Sequence, residues 1–389
     1  MASKLKNRPY SAYLGPTTDR PPAAATRRLI GVLEGTGVGP AVIDAALKVL
    51  KAAEAVLDLK IEVRFGGLIG EDAIKEHGQW LPENTVEFCA DVFQAGGAIL
   101  NGPGGGRYVY DLRKRFDLFC KFVPVQPPPE LAHAGKISPQ FLKDVDMLIV
   151  RDNTGGVYQG QWGDRATKKG RVAEHSFGYS EGEVHRLIEV AARAAAGRRG
   201  DLHVIVKDGG VPTVTALWRD VGTAVARKHG LEAKFMNIDL AAYELIQNPT
   251  RFDVIVAPNL FGDILADICG VLVSSRGVTF SGNFTPQGQG VYQTNHGCAH
   301  DLAGTDIANP AGQILSLAML LRESFGLEEA AGLIEQSLAQ AWRAGWRTAD
   351  LAEAGCTILG TQAMAEKVVE QVLRPAGKKS PHETRVVVG

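Results

Sequence analysis

Five times along this chain an unbroken run of aliphatic residues ends at a polar or glycine-rich turn, and four of the runs lead into a long helical pattern. RRLIGVLE precedes PAVIDAALKVLKAAEAVL, DMLIV precedes EGEVHRLIEVAARAAAG, LHVIVK precedes TALWRDVGTAVARKHG, FDVIVAPN precedes LFGDILADICGVL, and GGAIL is the fifth run. A strand that is apolar at every position must be covered on both faces, and intervening helices provide the crossovers that parallel strands need. The pattern predicts an α/β fold with a mainly parallel sheet. With 389 residues, 45% of them hydrophobic, the chain can bury a large core, in two domains or one interrupted one.

Charge and cysteine content narrow the function class. Forty-two Lys and Arg against 43 Asp and Glu leave a formal net charge of −1, so no overall field favours nucleic acid or an anionic membrane, and anion recognition has to be local. The five cysteines, Cys89, Cys120, Cys269, Cys298 and Cys356, are scattered and never in CxxC spacing, which predicts free thiols and no structural zinc site. No signal peptide is expected in the first 27 residues and no run approaches the ~18 apolar residues of a membrane span. The expected location is cytoplasmic. Residues 1–26 and 376–389 are expected to be mobile tails, and the proline-rich VPVQPPPEL (123–131) a connector between domains. No repeat of 20–50 residues is present.

Several segments could carry chemistry. GTGVGP (35–40) sits between strand and helix, either as a tight turn or as a close-approach loop for a ligand; its spacing is not that of the usual dinucleotide fingerprint. In NLFGDILADICG (259–270), Asp263 and Asp267 are four apart on one helix face. They would repel unless a cation lay between them, and Mg2+ or Mn2+ prefers such oxygen ligands, although a helix-terminal charge and a solvated aspartate would look the same. Lys207 ends a strand at the sheet edge where α/β proteins bind ligands, either as a base or as a solvated strand end. Arg151 and Tyr158, in RDNTGGVYQG, offer a carboxylate fork and a proton donor, or are structural. LRKRFDLFCKFVPV (112–125) sets Arg113, Lys114, Arg115 and Lys121 among apolar residues; Arg113 is expected to point inward and Lys114 and Arg115 outward. The Gly-, Asn- and Asp-rich loop NHGCAHDLAGTDIANP (295–310) lies between helical segments, a placement common for functional loops.

Taken in order, GTGVGP, LRKRFDLFCKFVP, VRDNTGGVYQG, VK at 206–207, FDVIVAPNLFGDILAD and HGCAHDLAGTDIANP resemble the landmarks of the metal-dependent β-decarboxylating dehydrogenases, the isocitrate/isopropylmalate dehydrogenase family, from about residue 28 to about 373. The resemblance implies two α/β domains that are not a standard Rossmann fold: a large cofactor-binding domain from 27–118 and 276–375, and a small domain, 119–275, with dimerisation and metal site. It implies a homodimer with a shared active site that uses NAD and Mg2+ or Mn2+ to oxidise a 2-hydroxy acid, with decarboxylation. On the matching positions, Asp239, Asp263 and Asp267 hold the metal, one of them across the dimer. Lys207 is the base, Tyr158 the acid, and Arg113 and Arg151 hold substrate carboxylates. Asp301, Asn309, His296 and Gly297 lie in the segment that matches the adenosine-binding loop, and Asp301 favours NAD over NADP because a carboxylate repels a 2′-phosphate. Gln293 stands near the nicotinamide.

The chain departs from the pattern at positions that read substrate. Relatives have a third arginine where this chain has Val123, which is expected to leave an apolar surface. Lys121, two residues away along an extended segment, is a candidate point charge with different geometry. Arg107 and Tyr110 stand among the residues that read the C3 substituent. The chain is therefore expected to be neither a standard isocitrate nor a standard 3-isopropylmalate dehydrogenase. Two readings follow: an enzyme for an altered 2-hydroxy acid in a specialised pathway, or a non-catalytic or regulatory homologue that keeps fold and dimer. Retention of all three aspartates, Lys207, Tyr158 and two arginines favours the enzyme.

Overall fold

A computed structural model describes residues 9–15 and 28–374. The aliphatic runs become strands of one ten-stranded sheet: β1 (Leu29–Leu33), β2 (Glu62–Phe65), β3 (Ala98–Asn101), β4 (Cys120–Val125), β5 (Met147–Asp152), β8 (Leu202–Val206), β9 (Ala233–Asn237), β10 (Val254–Ala257), β11 (Phe280–Phe284) and β12 (Gly290–Thr294). Between β5 and β8 the chain makes a separate hairpin, β6 (Gln161–Thr167) and β7 (Gly170–Ser176), almost wholly exposed. The helices are α1 (Gly39–Leu57), α2 (Gly70–His77), α3 (Glu83–Gln94), α4 (Tyr108–Arg115), α5 (Pro139–Leu142), α6 (Glu181–Ala196), α7 (Pro212–Lys228), α8 (Ile238–Gln247), α9 (Asn259–Leu272), α10 (Ala311–Phe325), α11 (Glu328–Arg343) and α12 (Thr361–Val372). Local signals set their ends: Pro40 opens α1, and Ser180 and Glu183 cap α6 by exchanging hydrogen bonds.

The strand order is β2-β1-β3-β12-β11-β4-β5-β10-β8-β9. Pairing is parallel on both flanks and antiparallel only where β12, β11, β4 and β5 adjoin, so the two flanks run in opposite directions. One flank is built from residues 29–101 and 280–294, the other from residues 120–257. Every residue of β1, β5, β8 and β10 is buried, which explains their mainly aliphatic character, His203, Arg151 and Asp152 being the buried polar exceptions. The expected connector at 123–131 begins later than its prolines suggest. Val123–Val125 completes β4 in the middle of the sheet, and β11 stops pairing at Phe122, so beside Pro124 no β11 bond is lost to the missing N–H.

Part of the expected N-terminal tail is docked. Tyr10–Leu14 forms a 3-10 turn whose Tyr10 and Ser11 N–H groups donate to the Glu323 carboxylate (2.9 and 2.8 Å), while Arg193 Nη1 donates to the carbonyls of Tyr13 and Leu14 (3.2 and 3.0 Å). Tyr13 is buried, and the Tyr10 ring lies 5.8 Å from that of Phe122. Apolar burial and charge-assisted backbone bonds together outweigh the entropy of ordering so short a segment. The rest of both expected tails lies outside the described residues. All five cysteines are free, and no described helix is long and apolar enough to cross a membrane.

Candidate active site

The antiparallel register brings the amino end of β4 beside the carboxyl end of β5, with Cys120 opposite Asp152 and Lys121 opposite Arg151. Arg151, 1% exposed, is gripped by the first turn of α9: Nε and Nη2 donate to Asn259 Oδ1 (3.2 and 2.8 Å) and Nη1 to Asp263 Oδ1 (2.5 Å). This approach depends on Gly262, where a Cβ would lie 2.7 Å from Arg151 Cγ. Tyr158 OH donates to the other Asp263 oxygen at 2.8 Å. Burial alone would raise the Asp263 pKa, but the Arg151 guanidinium, with Lys121 and the Tyr158 hydrogen bond, holds it below its ordinary value. Tyr158 is shifted upward, by burial and by its bond to Asp263, so it keeps its proton at neutral pH.

Two more cations complete the cluster. Arg113, on α4, and Lys121, on β4, are 4% and 3% exposed. Burial, then the neighbouring Arg151, lowers the Arg113 pKa to about 10; burial, Arg151 and Arg113 carry that of Lys121 well below its ordinary value. Arg113 Nε is buried with no hydrogen-bond partner. Val123, expected to leave an apolar surface in the cleft, is 1% exposed, lies opposite Ile149 and belongs to the core. The expectation failed because a small aliphatic residue two positions along β4 is absorbed by the packing behind the cleft.

Asp267, one turn beyond Asp263, pairs with Arg276 (3.1 Å), and burial raises its pKa against that pairing. Asp239 lies apart from both, on α8, and pairs with Lys207 Nζ at 2.7 Å; that bond lowers the Asp239 pKa. Among the described residues no three carboxylate, histidine or cysteine groups converge on one point, so a single chain provides at most the Asp263–Asp267 pair. Two carboxylates one helical turn apart are hard oxygen donors that fit a divalent cation, with further ligands needed to fill its shell.

Over this cluster, α4 is bridged to the segment that leads into the hairpin. Arg107 Nη1 donates to the Tyr158 carbonyl (3.2 Å), its guanidinium stacks 4.3 Å from the Trp162 ring, and Gln159 Nε2 donates to the Tyr110 carbonyl (3.0 Å). The Tyr110 ring lies 5.0 Å from that of Tyr158 and 5.7 Å from the Arg113 guanidinium.

A second group forms around GTGVGP. Gly37 has φ +64° and a Cβ there would meet the Cys298 carbonyl at 2.2 Å, so this loop and the 295–310 loop touch backbone to backbone, with Val38 N donating to Cys298 O (2.8 Å). Asp301 is exposed in a short 3-10 turn and Gly297 is exposed with open space around it. His300 pairs with Glu71 (3.1 Å), and His296 Nδ1 lies 2.9 Å from the Gly297 carbonyl. Gln293 Oε1 accepts from Asn101 Nδ2 (3.3 Å). Asn309 is turned to structure: Oδ1 accepts from Ala311 N and Nδ2 donates to Asp350.

Sequence reasoning missed Asn259, Asp152 and Tyr179. Asn259 N donates to Tyr179 OH (2.9 Å), which donates to Asp152 Oδ2 (3.1 Å); Thr154 N and Gly155 N also donate to Asp152, and burial pushes its pKa up to about 6. This chain of bonds fixes the turn of α9 that grips Arg151. Asn259 was detectable as a polar residue opening the Asp263 helix; Tyr179, remote in sequence, carried no signal.

A model of the isocitrate/isopropylmalate dehydrogenase family matches residues 29–368. The 3-isopropylmalate dehydrogenase of Priestia megaterium is 39% identical over 354 residues, 87% of this chain and 94% of that protein; that of Oleidesulfovibrio alaskensis is 36% identical over 359 residues, 88% and 99%. The crystal structure of isocitrate dehydrogenase from Methylococcus capsulatus superposes with a TM-score of 0.79 at 27% identity, covering 89% of this chain and 100% of the other.

Proposed function

The chain belongs to the isocitrate/isopropylmalate dehydrogenase family, and from that premise we propose that it is a NAD- and divalent-metal-dependent dehydrogenase. Its substrate is a 2-hydroxy acid related to isocitrate or 3-isopropylmalate, oxidised at C2 and decarboxylated at C3. The observation that carries this reading is the cluster in which buried Arg151 and half-buried Tyr158 converge on Asp263 beside two further buried cations. Such a cleft favours an anionic substrate and holds a protonated acid beside it.

Arg113 and Arg151 hold substrate carboxylates, and Tyr158 donates the proton that C3 takes up when its C–CO2 bond breaks. Lys207 takes the C2 hydroxyl proton; in this structure its amine is held on Asp239, apart from Asp263, which supports a site completed by Lys207 and Asp239 of a second copy of the chain. Exposed Leu240, Tyr243, Ile264 and Val271 on α8 and α9 provide an apolar face for that association. Asp263 and Asp267, with Asp239 from a second copy of the chain, would hold Mg2+ or Mn2+, which would supply positive charge to the substrate oxygens, and NAD would supply the hydride acceptor. Exposed Asp301 supports NAD over NADP, and the loops around Cys298 and Gly37 support a cofactor seat.

The test is NADH formation across a panel of 2-hydroxy diacids and their phosphonate analogues, with Mn2+ and with chelator. Metal-dependent reduction with at least one compound is expected. A protein that dimerises and binds NAD yet reduces it with none is the non-catalytic homologue.

A further inference from the structure

We infer that Lys121 is an anion-binding residue of the substrate cleft, acting with Arg113 and Arg151. This rests on the proposed dehydrogenase reading and adds a residue to it.

The argument starts from what Lys121 lacks. An ammonium taken out of water is retained only where a partner restores its lost hydration. Lys121 is 3% exposed, and among the described residues its amine makes no hydrogen bond or ion pair. The two residues opposite it in the sheet are Arg151 and Asn283. Arg151 is a like charge, and the Asn283 oxygen is taken by Asn153 Nδ2 at 2.9 Å. Arg113 makes no hydrogen bond or ion pair with a described residue either. The nearby carboxylate, Asp263, already receives Arg151 and Tyr158. Among the described residues, then, neither buried cation is hydrogen-bonded to a counter-charge, and the one carboxylate that acts on both, Asp263, is bonded to Arg151 and Tyr158; a structural lysine would be expected to hold a carbonyl or carboxylate.

The position of Lys121 says which part of the substrate it meets. Two residues along a strand is about 6–7 Å, so a cation at 123 would start deeper, opposite Ile149, whereas one at 121 starts opposite Arg151 itself. The groups placed to read a C3 substituent, Arg107 and Tyr110, belong to the amino end of α4 and its bridge to Trp162. Lys121 therefore meets an anion of the malate core shared by all the candidate substrates. As a point charge with three rotatable donors it binds a carboxylate without imposing a plane on it.

The test uses the full-length protein with Mn2+ and compares wild type, Lys121→Met and Lys121→Gln. Binding of malate, 3-isopropylmalate and isocitrate is read by calorimetry with NADH, which cannot accept a hydride, and turnover is read with NAD. Both single variants are expected to weaken binding and raise KM roughly 10- to 100-fold for all three acids alike, with kcat changed much less. Affinities within twofold of wild type, a loss confined to one C3 substituent, or a wild type that binds none of the acids would overturn the inference. If wild type binds and both single variants do not, but none reduces NAD, Lys121 stands and the dehydrogenase reading falls. Metal-dependent turnover with equal KM in all forms gives the opposite result.

Discussion

Asp263→Asn isolates the charge at the centre of the cluster, because the amide keeps the shape and removes the anion. In the wild type Asp263 takes Arg151 Nη1 at 2.5 Å and Tyr158 OH at 2.8 Å, and Arg113 and Lys121 are the neighbouring cations. The variant leaves three buried cations with no carboxylate of their own, since Asp267 is held by Arg276. Removing one partner of a buried pair costs about 3–5 kcal/mol, but the Asp263 side chain is 37% exposed, so water reaches it and about 2 kcal/mol is the reasonable figure. At about 2.1 cal/mol/K of unfolding entropy per residue over 389 residues, that corresponds to a melting temperature roughly 2–3 °C lower. Adding Lys121→Met removes one of the repelling charges and should recover about 1 kcal/mol, a coupling a double-mutant cycle resolves. Calorimetric melting with and without Mn2+, beside NADH formation, is the assay. Wild type should be stabilised by Mn2+ and Asp263→Asn should not, with turnover lost. A variant that melts like wild type, shows no coupling to Lys121→Met, or keeps metal-dependent turnover would refute the reasoning.

Other perturbations follow from the same structure. Tyr158→Phe should lower kcat about 100-fold or more with a smaller effect on KM; steady-state kinetics on the best substrate checks it, and an unchanged kcat removes Tyr158 as the acid. Asp301→Lys should shift cofactor preference from NAD toward NADP, read as the ratio of kcat/KM for the two; a ratio that does not move places the ribose contact elsewhere. His203, 2% exposed and edge-on to Phe252, has its pKa pushed by burial from 6.5 to about 4, so its contribution to stability is full above pH 6.5 and lost as pH falls toward 4. His203→Gln should reduce that acid-side loss by about 2–3 kcal/mol in denaturant titrations at low and neutral pH. Asp152, pushed up to about 6, works in the opposite direction, its contribution full below about pH 4 and lost as pH rises through 6. Deleting residues 1–15 exposes the site that Tyr13 fills and should lower the melting temperature by several degrees; an unaltered melt would show that the turn adds no stability.

The parallel flanks of the sheet were legible in the sequence because a strand covered on both faces is mostly aliphatic, as LHVIV and FDVIV are apart from His203, Phe252 and Asp253. The antiparallel centre was not: the lysine and proline of CKFVPV break the aliphatic signal in a strand that is nonetheless central. The β6–β7 hairpin was invisible for the opposite reason, since it has no buried face to impose alternation on GQWGDRAT and GRVAEHS. In the site, spacing alone placed Asp263 and Asp267 on one helix face, and the strand ends pointed to Arg151 and Lys207. What spacing could not supply is partnership. Lys121 looked two residues out of place, yet the register sets it directly opposite Arg151, and its isolation depends on Asn283 bonding to a residue 130 positions away.

The docked turn at Tyr10–Leu14 lies outside the family match at 29–368 and joins two helices that flank different halves of the sheet, α10 through Glu323 and α6 through Arg193. Its Tyr10 ring rests on Phe122 of β4, the strand at which the sheet reverses. Any rocking of one half against the other must carry this turn along or break its bonds to both helices. The Tyr10–Leu14 turn is therefore a tie between the two halves of the sheet, made by residues that the matched region does not contain.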